Sequence, residues 1–283
     1  MATVGLLHPG EMGAAVGGCL VSVGHEVLWD PAGRSRASTG RALAAELTGV
    51  SFDRLIAKSS VIFSICPPHA AIDVAQQVAD GGYRGIYVDA NAVSMATAEK
   101  VDAIVTAGGA AYVDGGIIGQ PPEVAGYTRF YLSGPQASEV RPLFSRSRLE
   151  ARIAEGPLYA ASAVKMAYAA WTKGSSALLL AARALARAGG VERTLLAEWA
   201  LSQKALGPQS ERAASAAAAK GWRWVGEMEE IAASMAAAGL PSGFHEAAAD
   251  IFERASHAGG ASVNRPSAPE PESALDTIMS ALI

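Results

Sequence analysis

The segment whose residue types most directly indicate chemistry is a glycine-rich turn near the start of the chain. It follows an apolar run, Thr3–Leu7, and opens a helical pattern, Glu11–Ser22. A helix N-terminus presents unpaired N–H groups and a partial positive charge, so a pyrophosphate group binds there. Gly10 allows the backbone to approach the phosphate, and Gly13 allows the helix to pack closely on the sheet. His8 takes the place of a glycine, and histidine tolerates left-handed geometry better than most residues.

The strand–turn–helix context of this segment predicts a dinucleotide site. The residues of the turn predicted to bind its cofactor are His8, Pro9, Gly10, Glu11, Met12 and Gly13.

The end of the second predicted strand carries signals for two different cofactors. Asp30 suits the ribose 2′-hydroxyl of NAD, whereas Arg34, Ser35 and Arg36 form a compact anion site that suits the 2′-phosphate of NADP. A solvated basic turn is the alternative interpretation of the three residues. We expect NADP, with NAD as the other possibility.

Composition places the chain among globular proteins. Of its 283 residues 50% are hydrophobic and 18% are charged, and the formal net charge is −4. These values give no reason to expect a nucleic acid or a membrane surface as partner. The two cysteines do not form a disulfide framework, no segment resembles a signal peptide or a membrane span, and no histidine stands at metal-ligand spacing. We therefore expect a soluble cytoplasmic protein without a metal, acting on a small-molecule substrate.

Strand and helix patterns alternate through the first half of the chain. The pattern predicts an α/β Rossmann domain over residues 1–155, with a doubly wound parallel sheet. The predicted strands are Thr3–Leu7, His25–Trp29, Val61–Ile65, Ile86–Asp89, Ala111–Asp114 and Phe130–Ser133, and the predicted helices are Glu11–Ser22, Arg41–Glu46, Ala70–Val78 and Ala96–Ala107.

The second half lacks strand patterns and predicts an all-α domain over residues 156–256. Its first helix runs from about Leu158 to Ala188 without a proline. Further helices are predicted at Thr194–Leu206, Glu211–Ala219, Trp224–Ala238 and His245–Ala255. Residues 257–283 are predicted to form a flexible linker, His257–Glu272, and a terminal amphipathic helix.

These motifs together resemble the β-hydroxyacid dehydrogenases, which include 3-hydroxyisobutyrate dehydrogenase and have the imine reductases as relatives. Gly5–Gly13 is similar to the family's opening motif, with His8 as a departure from it. Ser64–Pro68 is similar to the end of the third strand beside the cofactor, and Asp89–Ser94 stands where the family has a loop near the nicotinamide ribose. The resemblance implies that Cys66, Pro67, Pro68 and Asn91 contact the cofactor.

The resemblance also implies a catalytic and a substrate-binding segment. Ala161–Ala169 is similar to the catalytic signature, and Lys165 matches its lysine, while Tyr168 and Ala169 replace two asparagines. Asp114–Gln120 stands where the family has its substrate loop. The residues predicted to bind substrate are Gly116, Ile118, Gly119 and Gln120 of that loop, and Trp224 and His245 of the helical domain.

Lys165 would bond the reacting oxygen and, in reduction, stabilise or protonate the developing alkoxide. Tyr168, three residues later on the same helix face, would be an auxiliary donor. A surface lysine and a core aromatic are the alternative interpretations. We expect an NADP-dependent oxidoreductase that interconverts a hydroxy acid or related alcohol with its carbonyl form, and, from the resemblance, a homodimer. An imine reductase and a non-catalytic NADP-binding sensor are the alternatives.

Overall fold

The computed structural model describes residues 1–258 and 271–283, which fall into two compact units. The first is Met1–Met166 and the second is Ala167–Ile283, so the division lies inside one long helix. The predicted linker, His257–Glu272, lies outside the described residues except at its two ends.

The first unit contains all eight strands of the described residues. They are β1 (Thr3–Leu7), β2 (Glu26–Trp29), β3 (Thr48–Gly49), β4 (Val61–Ser64), β5 (Ile86–Asp89), β6 (Ala111–Ile118), β7 (Arg129–Ser133) and β8 (Glu150–Ile153). The helices between them are α1 (Glu11–Ser22), α2 (Arg36–Ala44), α3 (Phe52–Lys58), α4 (Ala71–Asp80), α5 (Met95–Ala107) and α6 (Ala137–Val140).

The strands form one sheet in the order β3-β2-β1-β4-β5-β6-β7-β8. Every neighbouring pair is parallel except β6 and β7, which are antiparallel. The predicted doubly wound Rossmann fold is confirmed, with this one reversal. The reversal has a local cause, because the short segment between β6 and β7 contains no crossover helix, and parallel neighbours require one.

Helices cover both faces of the sheet, and strand side chains alternate between two cores. Val88 of β5 and Val113 of β6 belong to the core that includes residues of α1, α2 and α6. Tyr87 and Tyr112, the residues just before them, belong to the core that includes residues of α3, α4 and α5. This alternation has the two-residue period of an extended strand, and it explains why the strands of the parallel sheet are apolar along their whole length.

The second unit contains helices and no strand among its described residues. The helices are α7 (Ala160–Ala188, which begins in the first unit), α8 (Glu192–Ser202), α9 (Leu206–Ala237), α10 (Gly243–Ala258) and α11 (Pro271–Leu282). Arg183 of α7 is buried, and its Nε lies 2.8 Å from Glu192 Oε1 while its guanidinium donates to Ser210 Oγ at 2.6 Å. Arg187 joins the same carboxylate to Asp276 of α11 at 2.9 Å. Ion pairs therefore link three helices of this unit, α7, α8 and α11, and the hydrogen bond to Ser210 adds α9.

Two helix predictions are wrong. The predicted helices Glu211–Ala219 and Trp224–Ala238 are parts of the single helix α9, which continues through Gly221. A Cβ added to Gly221 would lie 3.0 Å from Phe252 O, so this glycine permits a close approach of α10 rather than a break. Helix α2 begins at Arg36 rather than Arg41, because the Ser35 hydroxyl caps it by accepting from Ser38 N.

Four short elements were not predicted: β3, α3, α6 and β8. Strand β3 has only two residues, β8 has only two apolar residues among its four, and α6 is a single turn, so none of them carries a pattern that can be recognised from sequence. Ser51 caps α3 by accepting from Arg54 N, a signal that the sequence does carry.

Candidate functional site

The carboxyl ends of β1, β4 and β5 and the middle of β6 fall into one row across the sheet. In register, Leu7 of β1 pairs with Ser64 of β4, Ser64 with Asp89 of β5, and Asp89 with Asp114 of β6. The strand order reverses direction between β1 and β4. Ligands of open α/β sheets bind in the crevice outside such ends. The segments predicted to bind a cofactor after β1, β4 and β5 therefore share one edge of the sheet.

The turn between β1 and α1 has the geometry that a dinucleotide site requires. His8 has φ 67°, the left-handed conformation predicted for it. A Cβ added to Gly13 would lie 2.4 Å from His8 O, so only glycine allows α1 this close to the turn. A Cβ added to Gly10 would meet nothing within 4 Å, which leaves open space at the N-terminus of α1. Gly10 provides no side-chain cap for this helix. A phosphate group fits this end of α1.

The segment after β2 places basic side chains around the same turn. The charge of Arg34 acts on His8, and together with burial, the larger cause, it lowers the pKa of His8 to about 4. Arg41 of α2, which the sequence analysis missed, donates from Nε to Pro9 O at 3.3 Å. Ser35 is the cap of α2 and Arg36 is its first residue, and Arg36 is exposed. The basic segment is therefore a loop followed by a helix start, not one loop.

A second group of predicted cofactor residues forms a hydrogen-bonded tie between the ends of β4 and β5. Asn91 Oδ1 accepts from Cys66 N at 2.6 Å, and Asn91 Nδ2 donates to Ser64 Oγ at 3.2 Å. Burial raises the pKa of the Cys66 thiol to about 12, so this residue is not a thiolate nucleophile. Pro67 and Pro68 open a short 3₁₀ turn before α4. These contacts fix the shape of the crevice edge.

Lys165 is held on the extension of β6 beyond the row of strand ends. Its Nζ donates to Ile117 O at 2.8 Å. A Cβ added to Gly116 would lie 2.5 Å from Ala161 O and 3.0 Å from Lys165 Cβ, so α7 lies directly against the strand at this glycine. The lysine predicted to be catalytic thus stands at the same edge of the sheet as the glycine-rich turn.

A buried carboxylate fixes the first turn of α7. Asp114 is fully buried and accepts from Ser162 Oγ at 2.5 Å, from Ser162 N at 2.9 Å and from Ser133 Oγ at 2.8 Å. Ser133 Oγ also accepts from Ala161 N at 3.0 Å. Burial raises the pKa of the Asp114 carboxyl, and the hydrogen bonds from Ser162 oppose that rise. Asp114 was predicted to lie in a substrate loop, and its role as the cap of α7 was not predicted.

The segment predicted as a substrate loop is largely strand. Gly116 pairs with Tyr131 and Ile118 with Arg129, so both belong to β6, and Ile118 is buried. The loop prediction is wrong here because pairing with β7 extends the strand. Gly119 has φ 127° and ends it, and Gln120 is exposed beyond it. Binding of substrate by these four residues stays a prediction.

In the second unit the predicted residues lie on three helices. Tyr168 of α7 is exposed, and Trp224 of α9 packs edge-to-face on Phe252 at 5.0 Å. His245 of α10 is buried and its Nε2 lies 3.2 Å from Ala170 O. Their roles toward substrate stay predictions. A Cβ added to Gly174 would lie 3.1 Å from His245 Nε2, which explains the one glycine in the middle of α7.

The pairing of Lys173 with Glu227 in this unit was not predicted from the sequence. Lys173 Nζ forms a salt bridge with Glu227 Oε2, and the ammonium also lies 5.5 Å from the centroid of the Trp224 ring. The partner of Glu227 is separated from it by 54 residues, so no local pattern indicates the contact.

Nowhere in residues 1–258 and 271–283 do three or more histidine, cysteine or acidic side chains converge as metal ligands would. In the same ranges, every helix is too short or too polar to cross a lipid bilayer.

Comparison with solved structures identifies the architecture. A 3-hydroxyisobutyrate dehydrogenase from Mycobacterium tuberculosis, solved with L-serine, has a TM-score of 0.69 at 18% identity, over 98% of this chain and 99% of that one. A 3-hydroxyisobutyrate dehydrogenase from Salmonella typhimurium has the same TM-score at 17% identity, over 98% and 99% of the two chains. The chain has the fold of the 3-hydroxyisobutyrate dehydrogenases. The resemblance inferred from the motifs is confirmed at the level of this fold.

Other comparisons agree with the 3-hydroxyisobutyrate dehydrogenase fold. Conserved protein MTH1747, described as of unknown function and structurally similar to 3-hydroxyacid dehydrogenases, is 25% identical, with a TM-score of 0.66 over 92% of this chain and 100% of that chain. An imine reductase from a Pseudomonas species has a TM-score of 0.54 at 19% identity, over 91% of this chain and 94% of that chain.

Residues 186–255 match a family described as a domain of unknown function, DUF1932. No curated protein sequence matches the chain.

Proposed function

We propose that this protein is an NADP-dependent oxidoreductase that interconverts a hydroxy acid or related alcohol with its carbonyl form. The observation that carries the proposal is the position of Lys165. Its ammonium is anchored 2.8 Å from Ile117 O, on the strand extension beyond the carboxyl ends of β4 and β5. The glycine-rich turn follows β1 at that same edge. A proton donor and a dinucleotide turn at one sheet edge are what hydride transfer to a carbonyl needs.

The residues around the turn fit a dinucleotide with an additional phosphate. The uncapped start of α1 and the open space at Gly10 suit the pyrophosphate, and Arg34 beside His8 suits a 2′-phosphate. Cys66 and Asn91, tied to each other, form the edge on which the nicotinamide half would rest. When bound, the nicotinamide supplies or accepts the hydride. The choice of NADP over NAD rests on the basic side chains after β2.

In the proposed reaction Lys165 acts on the oxygen that changes between carbonyl and alcohol. Its ammonium donates a hydrogen bond to that oxygen and stabilises the negative charge that develops on it during reduction. Proton transfer from Nζ to the oxygen completes the alcohol. Tyr168, three residues further along α7, is the proposed auxiliary donor.

Carbonyl reduction is favoured over imine reduction within this proposal. The agreement in fold is closer with the 3-hydroxyisobutyrate dehydrogenases, at a TM-score of 0.69, than with the imine reductases, at 0.53 to 0.57. An ammonium donor also suits an oxygen that becomes negative, whereas an iminium is already positive and would be repelled by it.

The test is NADPH consumption across matched panels of aldehydes, ketones and cyclic imines. We expect turnover with carbonyl compounds, and a loss of about 100-fold to 10,000-fold in kcat for Lys165→Met, which keeps the side-chain length but removes the proton. Tyr168→Phe serves as the milder companion variant. Turnover unaffected by Lys165→Met would refute the catalytic assignment, and tight NADPH binding without turnover would favour a sensor. A preference for imines would favour the reductase of that class.

We also propose that the protein is a homodimer formed through α7. Large apolar residues recur on this helix every seven positions, at Val164, Trp171, Leu178 and Leu185. The exposed fractions are 38%, 76%, 54% and 75%. Such a seven-residue repeat is the seam by which helices pair with a second copy. From Val164 to Leu185 the seam covers 21 residue steps of α7, which is about 32 Å at 1.5 Å per residue.

The solution mass tests the dimer. We expect twice the chain mass in analytical ultracentrifugation at micromolar concentration, and a monomer for the double variant Trp171→Glu/Leu178→Glu. Arg212→Glu on α9 is a matched charge control outside the seam. A monomeric wild type would contradict the proposal.

A further inference from the structure

His8 has a left-handed backbone conformation, which residues with a side chain rarely adopt. Its φ of 67° lies in the left-handed region, where glycine is favoured because it lacks a Cβ. A histidine has a higher conformational energy than a glycine in this region. The side chain is therefore the feature of this turn that needs a physical explanation.

The His8 ring has a polar atom with an unmet hydrogen-bonding need. Nδ1 is buried, and within the described part of the chain it has no hydrogen-bond partner. Arg34 Nε is also buried, and it too has no hydrogen-bond partner among the described residues. Arg34 is close enough for its charge to depress the pKa of His8. Each of the two segments predicted to bind the cofactor thus contains a buried nitrogen atom without a partner, and the charge of Arg34 acts on the His8 ring.

The other charged groups along these segments have different positions or partners. Arg41 donates to Pro9 O and to Ser38 Oγ, and Asp30 Oδ1 accepts from Ala32 N. Glu11, the acid in the first turn of α1, is exposed. Among the described residues, Arg34 is the charged side chain whose field acts on the His8 ring.

We propose that His8 and Arg34 form one phosphate subsite of the dinucleotide site, and that the His8 ring takes up a proton from solvent when the phosphate binds. A phosphate oxygen satisfies both buried nitrogen atoms, since Arg34 Nε donates to it and His8 Nδ1 donates to it, most strongly in the imidazolium form, in which both ring nitrogens carry protons. The subsite rests on the proposed dinucleotide binding and deepens it by naming a recognition residue that replaces a glycine of the motif.

The direction of the proton uptake follows from the charges. Without a phosphate, burial and Arg34 hold the pKa of His8 at about 4, so the ring is neutral at neutral pH. An anion within hydrogen-bond distance favours the imidazolium and raises a pKa by roughly one to three units. A rise to about 6.5 would make cofactor binding about tenfold tighter at pH 5.5 than at pH 8.

The test is the dissociation constant of NADPH and of NADH between pH 5.5 and 8, measured by fluorescence titration. The wild type is compared with His8→Gly, which suits the positive φ, and His8→Asn, which tolerates it without titrating. His257→Gln, on exposed His257 of α10, is the matched control. Because the 2′-phosphate itself titrates in this range, the informative quantity is the difference between the wild type and the two His8 variants.

We expect about tenfold more pH dependence in the wild type and the His257→Gln control than in either His8 variant. NMR titration of the His8 ring should also show its pKa rising when 2′,5′-ADP binds. If the difference appears with NADPH alone, the subsite holds the 2′-phosphate, and if it appears with both cofactors, it holds the pyrophosphate. Equal pH dependence in all four proteins that bind cofactor would overturn the inference. Failure of all four to bind either cofactor would overturn the proposed function and the subsite with it.

Discussion

Replacing Gly116 with alanine should displace α7 and its Lys165 without altering the glycine-rich turn after β1. The added Cβ would lie 2.5 Å from Ala161 O, whereas ordinary contacts begin at 3.4 Å. The clashing atom belongs to the backbone of α7, so rotation of a side chain cannot relieve the clash. Relief therefore requires α7 to move away from β6 by about 0.9 Å at this point. Lys165, one turn later on α7 and only 3.0 Å from the same Cβ, would move with it.

The magnitude of the effect follows from that displacement. A misplacement of about 1 Å at a reacting group lowers the rate by about 100-fold. Overpacking of this kind also destabilises a fold by about 1 to 3 kcal/mol. The glycine-rich turn after β1 is not in contact with the added methyl group, since the atoms near it belong to α7. We therefore expect kcat to fall by about 100-fold and the dissociation constant of NADPH to change by less than about threefold.

Steady-state kinetics, fluorescence titration with NADPH and thermal unfolding together separate the possibilities. Gly207→Ala is the matched control, because a Cβ there meets nothing within 4 Å and Gly207 lies on α9. The control should retain full activity. A Gly116→Ala protein with kcat within about threefold of the wild type would show that the contact between α7 and β6 does not set the position of Lys165.

Two further predictions concern stability. Asp114→Ala should lower the free energy of unfolding in urea by about 3 kcal/mol, because it leaves the buried Ser162 N–H and Ser133 hydroxyl without their acceptor. Ser162→Ala should lower the free energy of unfolding by less. An equal decrease in the two variants would contradict the capping role of Asp114. Because the folded pKa of His8, about 4, lies below its unfolded value of 6.5, the unfolded chain takes up the proton first as the pH falls. Stability should therefore drop by about 2 kcal/mol between pH 7 and 5, and His8→Gly should remove that slope; the same slope in both proteins would argue against a buried neutral imidazole.

The elements of the first unit could be predicted where the chain carries local patterns. Thr3–Leu7, Glu11–Ser22 and Ile86–Asp89 have the bounds predicted for them. In each, apolar spacing and a flanking turn specify the element without help from distant residues. The left-handed backbone of His8 could be predicted for the same reason, because the turn between a strand and a helix demands it.

Pairing between distant segments could not be predicted in this way. The extension of β6 to Ile118 exists because β7 pairs with it, and the segment alone, with two glycines, has the composition of a loop. Helix α9 continues through Gly221 because α10 packs against it there. In both places a tertiary contact overrides a local preference of about 1 kcal/mol.

The amino-acid sequence by itself determined the dinucleotide turn, the alternation of strands and helices, and the resemblance that selects Lys165. These features are local, since they depend on residue types within a few positions of each other. The tertiary structure decided what holds Lys165, because Ile117 O and the Asp114 cap both act across 48 residues. It also decided that Arg34 and Arg41 reach the turn after β1, since hydrogen bonds and charges act over a few ångströms of space whatever the separation along the chain.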